Sequence, residues 1–402
     1  MNTHTEQEIL SRVQSIRPLP AAVVQLCRLT KNLESDCDEI VRIISMDEAL
    51  ATRMLRVANS AFYGFTQRVN TISQAVLLLG FQGVRSLALS VSVMDMRIGM
   101  SLKNLSREDM WRHSLAVATV SRDMADYLHV GESEEAFLGG LLHDIGKIII
   151  MEVFPEKYEQ VVNQSRIQMV PLFELEKMEF GTDHAQIGAA LCDRWKIPAL
   201  FGDIVSKHHQ HVADWKKADG MVFLVQVGDG LAKMAQTGAD GDENIPVHVF
   251  EAMNSSDFPL EYIRRLEIGL PEQINKASVF FDIPSHDAPP VQRRNPDGML
   301  VLMRNDGERE LIQVALLSMG FQLLTLREAQ KDEENLAGVI TDESLLPMHP
   351  KIRQICIRRE LPILNFADWQ SQGLPPGRAL LHVSRFKEWI AASMISPEDE
   401  SK

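Results

Sequence analysis

Seven histidine and aspartate side chains between residues 113 and 229 combine the chemistry and the spacing of a metal centre. They are His113, His143, Asp144, His184, His208, His209 and Asp229. Imidazole and carboxylate groups bind Fe, Mn and Zn ions, and a helical bundle can direct ligands from several helices at one interior point. Such a set could hold one or two divalent ions, and two ions make a bridging hydroxide nucleophilic toward phosphate esters.

A purely structural role for these residues is the alternative interpretation, and composition alone does not decide between the two. The chain contains 12 histidines, so histidine by itself does not indicate a ligand. A single histidine on an amphipathic helix is more often hydrogen bonded within the core than bound to an ion. What favours a metal is the clustering of ligand types on neighbouring helices.

The elements that must position these residues are predicted to be helices. Apolar residues recur three and four positions apart, which is the helical period, throughout residues 1–240. The predicted helical segments are residues 38–62, within which a second helix would follow Asp47, and residues 71–94, 108–128, 133–154, 183–197, 198–209 and 218–236. Asp47 is a candidate helix cap, and the segment 71–94 is expected to break between Gly80 and Gly83. All the candidate ligands fall on the last five of these helices.

The pattern changes at residues 283–298, where four prolines occur in sixteen residues, as in a linker. Beyond it, apolar strand-like runs alternate with helical segments, which predicts a parallel, doubly wound sheet of about five strands. The strand-like runs are residues 298–305, 321–326, 336–342, 361–366 and 378–384. We therefore predict a multidomain chain: an all-α helical bundle with a helical extension at 1–283, a linker at 284–298 and a small α/β domain at 299–402.

Composition argues against several classes of function. The net charge of −14, from 41 basic and 55 acidic residues, gives no general attraction for nucleic acid or anionic lipid. Four cysteines without a C-x-x-C pair argue against disulfides and a cysteine zinc site. The N-terminal stretch lacks a signal-peptide core, and no apolar run reaches the roughly 18 residues of a transmembrane helix. We expect a cytoplasmic protein without membrane insertion.

The order of the seven residues resembles the ligand order of the HD phosphohydrolase superfamily, and HDIGK at 143–147 closely matches its motif. The additional histidines resemble the two-metal HD-GYP type. This resemblance implies that Lys147 contacts a substrate phosphate, which would make it catalytic if the protein is an enzyme. The chain departs from HD-GYP enzymes after His209, where QHVADWKKADGMV contains no Gly-Tyr-Pro. Cyclic-dinucleotide hydrolysis is therefore not expected.

Residues 10–235 resemble the HD-related output domain, HDOD, over nearly their whole length. The matching blocks include RPLPAAVVQLCRLT at 17–30, ANSAFYG at 58–64, GLLHDIGKIIIMEVFPEKY at 140–158 and FGTDHAQIGAALCDRWKIP at 180–198. The resemblance implies an all-helical bundle and a role in bacterial signal transduction, usually without catalysis. Many members of that family have lost ligands, whereas this chain keeps them, which leaves an enzymatic role open.

The ANSAFYG block also has a physical interpretation. Asn59 and Ser60 near a helix end can satisfy free backbone groups, and Gly64 permits the turn that follows. We prefer this capping role to a ligand-binding role. The preceding segment, EALATRMLRVANSAF, could be mistaken for half of a helix-turn-helix motif. Its would-be reading face is apolar, which argues against DNA binding.

Residues 299–402 resemble a response-regulator receiver domain by their pattern of strands and helices. Asp342 falls at the phosphoacceptor position, at the end of the third predicted strand. A working receiver needs acidic residues after its first strand to hold Mg²⁺, and this chain has Arg304 and Asn305 there. Because phosphotransfer to aspartate depends on that metal, we predict an inactive pseudo-receiver without Mg²⁺. Asp342 is then expected to be a strand-end turn residue.

Together these observations predict a signalling output or scaffold protein that acts through protein–protein contacts without catalytic turnover. The expected partners are signalling proteins, namely a kinase, a cyclase or a regulator, or a second copy of the chain. The alternative is a metal-dependent HD-type phosphohydrolase acting on a nucleotide or cyclic nucleotide. DNA-binding regulation is a third and weaker hypothesis.

Overall fold

The computed structural model describes most of the chain up to residue 246 and shorter pieces beyond it. The described residues are 3–29, 37–60, 63–94, 101–103, 105–210, 220–235, 237–246, 260–280, 283, 298–304, 309, 312–313, 316, 321–331, 333–341, 345, 348–359, 361, 363–365, 380–382 and 389–390. They fall into two compact units. The first is drawn from residues 1–165, 171–242 and 269–286, and the second from 166–170, 243–268 and 287–402.

Helices make up all the regular structure of the first unit within the described residues. In chain order the helices up to residue 280 are α1 Thr3–Ser15, α2 Ala21–Leu29, α3 Cys37–Ser45, α4 Glu48–Ala58, α5 Ile72–Met94, α6 Arg107–Leu128, α7 Ser133–Leu142, α8 Ile145–Val153, α9 Pro155–Gln168, α10 Leu172–Phe180, α11 His184–Arg194, α12 Ala199–Lys207, α13 Gly220–Met234 and α14 Leu260–Phe280. The expected helical bundle is confirmed in this part of the chain.

Two predicted features of these helices are confirmed, and one predicted helix is wrong. Asp47 caps α4, because its Oδ1 accepts a hydrogen bond from the backbone nitrogen of Leu50 at 3.0 Å. Helix α5 is kinked at Gly80, whose φ of 68° is not helical. The segment 133–154 is two helices and not one, since α7 ends before His143 and α8 begins after Asp144.

The core of the first unit is built around α6, which packs against α7 and α13, while α11 packs against α8 and α12. Every residue of α6 from 110 to 121 is buried, as is every residue of α8 from 145 to 151. Helices that are buried on all sides lie at the centre of a bundle. The candidate ligands on and between these helices are therefore held inside the fold.

Helix α5 is long and apolar enough to cross a membrane by length and composition. Of its most apolar 18-residue window, 67% is buried inside the structure. The apolar side chains of α5, such as Val84, Leu87 and Leu89, are thus part of the core of the first unit.

The second unit contains a small parallel sheet of the kind that the sequence predicts. Its strands β2 Gly298–Leu302, β3 Gln322–Leu324, β4 Leu336–Thr341 and β5 Ile363–Asn365 have the order β3-β2-β4-β5. Helices α15 Leu326–Lys331 and α16 Pro350–Arg359 alternate with these strands. Leu300, Val339, Ile352 and Ile355 belong to the apolar cluster that joins sheet and helices.

The fifth predicted strand pairs differently from the expectation. Residues 378–384 contain β6, Leu380–His382, which pairs antiparallel with β1, Asn244–Pro246, in a separate two-stranded sheet. The predicted linker at 284–298 lies outside the described residues except for Gly298, and so does Asp342. The predicted domain bounds stay a prediction.

Within the ANSAFYG segment, Asn59 satisfies free backbone groups, which is the structural role that we preferred. Its side-chain amide donates to the carbonyl oxygens of Leu55 and Val69, each at 2.7 Å. Its side-chain oxygen accepts from the backbone nitrogen of Val69 at 2.8 Å. Asn59 therefore ties the end of α4 to the non-helical segment before α5. Ala61 and Phe62 lie outside the described residues.

We predict that Asn59→Ala lowers the free energy of unfolding by about 1–3 kcal/mol, because it leaves both backbone groups of the buried Val69 without this partner. Asn70→Ala is the matched control. The exposed Asn70 side chain makes only a 3.3 Å bond to the carbonyl oxygen of Arg68, so a loss below about 0.5 kcal/mol is expected. Urea unfolding of the two variants measures the difference. Equal losses would contradict the assigned role of Asn59.

Candidate metal centre

All seven predicted residues lie close together in the first unit, around the carboxylate of Asp144. Its Oδ1 is 3.2 Å from Nε2 of His184 and 3.7 Å from Nε2 of His208. Its Oδ2 is 3.3 Å from Nε2 of His143 and 4.0 Å from Nε2 of His113. The two oxygens of one carboxylate thus face two separate groups of imidazoles.

The turn between α7 and α8 places His143 and Asp144 in this position. The ring Nδ1 of His143 donates to the carbonyl oxygen of Gly140 at 2.7 Å, which leaves Nε2 as the acceptor in the neutral ring. Asp144 is followed at once by α8, whose Lys147 backbone nitrogen donates to the Asp144 carbonyl at 3.0 Å. The break in the helix therefore directs two adjacent side chains into the same core.

One half of the centre consists of His184, His208, His209 and Oδ1 of Asp144, and we call it the triple-histidine half. Nε2 of His184 is 3.3 Å from that of His208 and 2.8 Å from that of His209. Ligands about 2.0–2.1 Å from a tetrahedral Zn²⁺ ion lie roughly 3.3 Å from one another. Asp144 Oδ1 lies 3.2 and 3.7 Å from two of these nitrogens, so these four distances fall near the spacing of ligands around a tetrahedral ion.

The other half consists of His113, His143, Asp229 and Oδ2 of Asp144, and we call it the His113 half. Nε2 of His113 is 3.1 Å from Oδ1 of Asp229 on α13. Within the described residues, Nε2 of His113, Nε2 of His143 and Oδ1 of Asp229 are buried and make no hydrogen bond. An unsatisfied buried polar atom costs about 1–3 kcal/mol. A cation or a water molecule bound by these atoms would remove that cost.

The donor atoms of both halves fit a divalent transition metal. They are imidazole nitrogens and carboxylate oxygens, which suit Zn, Fe and Mn. Three ligand groups in this region have donor atoms that all lie within 4.8 Å of one another. They are His184, His208 and His209; His113, His143 and Asp144; and His113, Asp229 and Asp240. The last group includes a residue that the sequence analysis did not select.

Burial and charge set the protonation of the ligands. Burial lowers the pKa of His208 to about 4, so its ring is neutral at neutral pH and able to bind a metal. Burial alone would also lower the pKa of His184, but the carboxylates of Glu176 and Asp144 outweigh burial and raise it to about 9. A metal ion that binds His184 must therefore displace a proton.

The structure adds two acidic residues to the centre that sequence analysis missed. Glu176 on α10 is fully buried, and its Oε2 accepts from Nδ1 of His184 at 2.5 Å and from the His184 backbone nitrogen at 2.9 Å. Its Oε1 accepts from the hydroxyl of Tyr158 at 2.6 Å. Asp240 accepts from Lys147 at 2.8 Å. A sequence signal existed for Glu176, which precedes His184 by eight residues on an otherwise apolar helix face.

Lys147 is placed within the centre but is bound to protein carboxylates. Its Nζ donates to Oδ2 of Asp144 at 2.7 Å and to Oδ2 of Asp240 at 2.8 Å. The side chain is 1% exposed. Burial would lower the pKa of Lys147, but Asp144 and Asp240 outweigh burial and raise it, so the ammonium group stays charged.

The family model for the HDOD domain matches residues 16–211. A protein of Treponema pallidum (strain Nichols) with no assigned function is 28% identical over 213 residues, which cover 52% of this chain. The chain spans only 40% of the length of that relative.

Two solved structures show the same fold. An HDOD domain protein of unknown function from Geobacter sulfurreducens superposes with a TM-score of 0.58 at 24% identity, over 69% of this chain and 98% of that protein. A candidate signal transduction protein from Marinobacter aquaeolei VT8 gives a TM-score of 0.55 at 18% identity, over 70% of this chain and 66% of that protein. At these identities the likeness concerns the fold alone.

We predict that Gly146→Ala displaces His184 and destabilises the fold. A Cβ at Gly146 would lie 2.0 Å from the carbonyl oxygen of His184 and 2.8 Å from the backbone nitrogen of Gly188, so α8 and α11 would have to separate. A loss of about 3 kcal/mol or more is expected. In the control Gly202→Ala, the new Cβ meets only Cys192 at 3.9 Å, and a gain of about 0.5–1 kcal/mol is expected. Similar unfolding free energies for the two variants would contradict the close helix approach.

We also predict that the metal-free protein is most stable near pH 6.5. The pKa of His184 is raised from 6.5 to about 9, so the protonated ring stabilises the fold. This contribution is complete below pH 6.5 and is lost as the pH rises through 9. His208, with a pKa of about 4, stabilises the fold above 6.5 and ceases to do so as the pH falls through 4. Melting temperatures in EDTA across this range test the expectation. A melting temperature that rises steadily up to pH 9 would contradict it.

Proposed function

We propose that this chain, whose residues 16–211 form an HDOD domain, is a bacterial signal-transduction output or scaffold protein with a closed metal centre. The centre would bind one or two divalent transition ions, Zn, Fe or Mn, and stabilise the helices that a partner protein recognises. It would not turn over a substrate. The expected partners are a signalling kinase, cyclase or regulator, in the cytoplasm.

The observation that carries this proposal is the burial of the centre. The exposed fraction is 1% for His113, 1% for His143, 3% for Asp144, 0% for His184 and 4% for His208. Structural metal sites are closed by protein ligands, whereas a hydrolytic site keeps one position open to water and substrate. His209 and Asp229 are partly exposed, but the deep burial of the other five residues supports a structural ion.

The engagement of Lys147 supports the same conclusion. A residue that contacts a substrate phosphate must present its ammonium group to the substrate. Here that group makes two short ion pairs, with Asp144 and Asp240, inside the core. Removing this buried cation would leave Asp240 with Lys233 alone and Asp144 with histidines alone, which is expected to cost several kcal/mol. Lys147 therefore balances the charge of the centre.

The parallel sheet of the second unit supports a partner-binding role for the C-terminal region. Its strand order β3-β2-β4-β5 is that of a doubly wound α/β fold. Arg304 is exposed just after β2, where a receiver would need acidic residues for Mg²⁺. On this basis we propose a pseudo-receiver at 299–402, with no Mg²⁺ and an inactive Asp342, that binds a partner or a second copy of the chain.

A metal-dependent phosphohydrolase for nucleotides is the second candidate function. The arrangement of Asp144 favours it, because one carboxylate whose two oxygens face two imidazole groups can bridge two ions. A hydrolase would require solvent access to the space between the ions. A screen of phosphomonoester and phosphodiester substrates with metal-loaded protein distinguishes the two functions.

We predict that removal of the metal destabilises the protein, while the metal-loaded protein does not hydrolyse phosphate esters. An ion present at about 100 times its dissociation constant stabilises the fold by about 2.7 kcal/mol. For a domain of this size, that is a rise in melting temperature of about 5–10 °C. Calorimetry with EDTA and after reloading with Zn²⁺ or Mn²⁺ measures the rise.

The double variant His143→Ala, Asp144→Ala is the control for this experiment, since it removes the carboxylate shared by both halves and should show a smaller response to metal. An affinity pull-down with the full chain should recover a signalling protein. Sustained turnover of any phosphate ester that the double variant abolishes, together with no specific partner, would refute the scaffold proposal in favour of the hydrolase.

A further inference from the structure

We propose that the centre retains a single divalent ion, in the triple-histidine half, and that the ammonium groups of Lys147 and Lys233 take the place of a second ion in the His113 half. This inference rests on the proposed metal-binding function and specifies where, and how many, ions bind.

Two buried lysines and three aspartates form a chain of alternating charges along the His113 half. Lys147 lies 2.7 Å from Asp144 and 2.8 Å from Asp240. Lys233 on α13 lies 2.9 Å from Asp229 and 3.4 Å from Asp240. Asp240 thus forms ion pairs with both ammonium groups. Each lysine also pairs with an aspartate of the candidate metal centre, Lys147 with Asp144 and Lys233 with Asp229. The lysine side chains are 1% and 5% exposed.

Lys147 occupies an oxygen that an ion in the His113 half would need, and Lys233 pairs with Oδ2 of Asp229, whose other oxygen, Oδ1, faces His113. Oδ2 of Asp144, which faces His143, accepts from Lys147 at 2.7 Å. Oδ2 of Asp229 accepts from Lys233 at 2.9 Å. Both aspartates of this half are therefore already neutralised by a protein cation. A divalent ion placed beside them would meet two like charges in a buried, low-dielectric setting, where repulsion is strong.

In the triple-histidine half, by contrast, the carboxylates are placed to support an ion rather than to neutralise lysines. Oδ1 of Asp144, the oxygen on this side, is buried and makes no hydrogen bond in the described part of the chain. Glu176 is hydrogen bonded to His184 on the side of the ring away from Asp144. A carboxylate behind a ligating histidine fixes the ring and increases its basicity. Negative charge therefore supports an ion in this half.

His208 and His209 are also held in place. Nδ1 of His208 donates to the carbonyl oxygen of Val205 at 2.6 Å, which leaves Nε2 directed at His184. The ring of His209 stacks on Phe173 with centroids 4.5 Å apart. Preorganised ligands lose less conformational entropy when they bind an ion. This half needs only the ion to be complete.

The test is zinc stoichiometry of the full chain. Protein stripped with EDTA is reloaded with excess Zn²⁺, desalted and analysed by plasma mass spectrometry. We expect close to one zinc ion per wild-type chain. His209→Ala should lose it, while His113→Ala should keep it. Glu176→Gln should weaken zinc binding by about 10- to 100-fold in a chelator competition.

The lysine part of the inference is tested by Lys233→Met, which is expected to raise the stoichiometry from one to two. Lys276→Met, an exposed lysine on α14, is the control and should leave it at one. Circular dichroism establishes that the variants are folded, and Lys147→Met replaces Lys233→Met if the latter is not. A folded lysine variant that still binds one ion would refute the role of the lysines.

The outcomes separate this inference from the function on which it rests. Two zinc ions in the wild-type chain, or one ion that His113→Ala loses and His209→Ala retains, would overturn the inference and leave metal binding intact. No zinc in the wild-type chain would overturn the metal-binding function itself, and the inference with it.

Discussion

The buried carboxylate of Asp144 is the constraint on which the rest of the centre depends. A carboxylate that is 3% exposed is costly unless cations and hydrogen-bond donors surround it. Its two oxygens divide the surroundings, with His184 and His208 on one side and Lys147 with His143 on the other. Although burial would raise the pKa of Asp144, His143 and Lys147 outweigh burial and hold it well below its usual range. Both the candidate metal ligands and the protein cations surround this one charge.

The surroundings of Asp144 are formed by the ends of several helices that meet at the centre. Asp144 lies between α7 and α8, His184 begins α11, and His208 follows α12. Side chains at helix ends can be aimed independently of the helical period, so several elements can converge on one carboxylate. The approach of α8 to α11 at Gly146 brings Asp144 within 3.2 Å of His184. The same glycine therefore determines both the packing of these two helices and the geometry of the site.

The sequence predicted most helices and the residues that gather around Asp144, because their signals are local. His143 and Asp144 stand out within an apolar run, and Asp47 precedes its helix in the pattern of a cap. The break between α7 and α8 was missed because the apolar period continues through it. Asp240 was missed because only its partners distinguish it from a surface acid, and Glu176 was missed although it lies on an otherwise apolar helix face. The pairing of β6 with β1 joins residues more than 130 positions apart, which no local pattern encodes.

An anomalous diffraction experiment at the zinc absorption edge, on crystals of the zinc-loaded chain, tests the central claim most directly. We expect one strong peak enclosed by Oδ1 of Asp144 and Nε2 of His184, His208 and His209, with protein atoms in every coordination position. No peak near Asp144, or an ion whose open position faces a solvent-filled cavity, would contradict a closed metal centre.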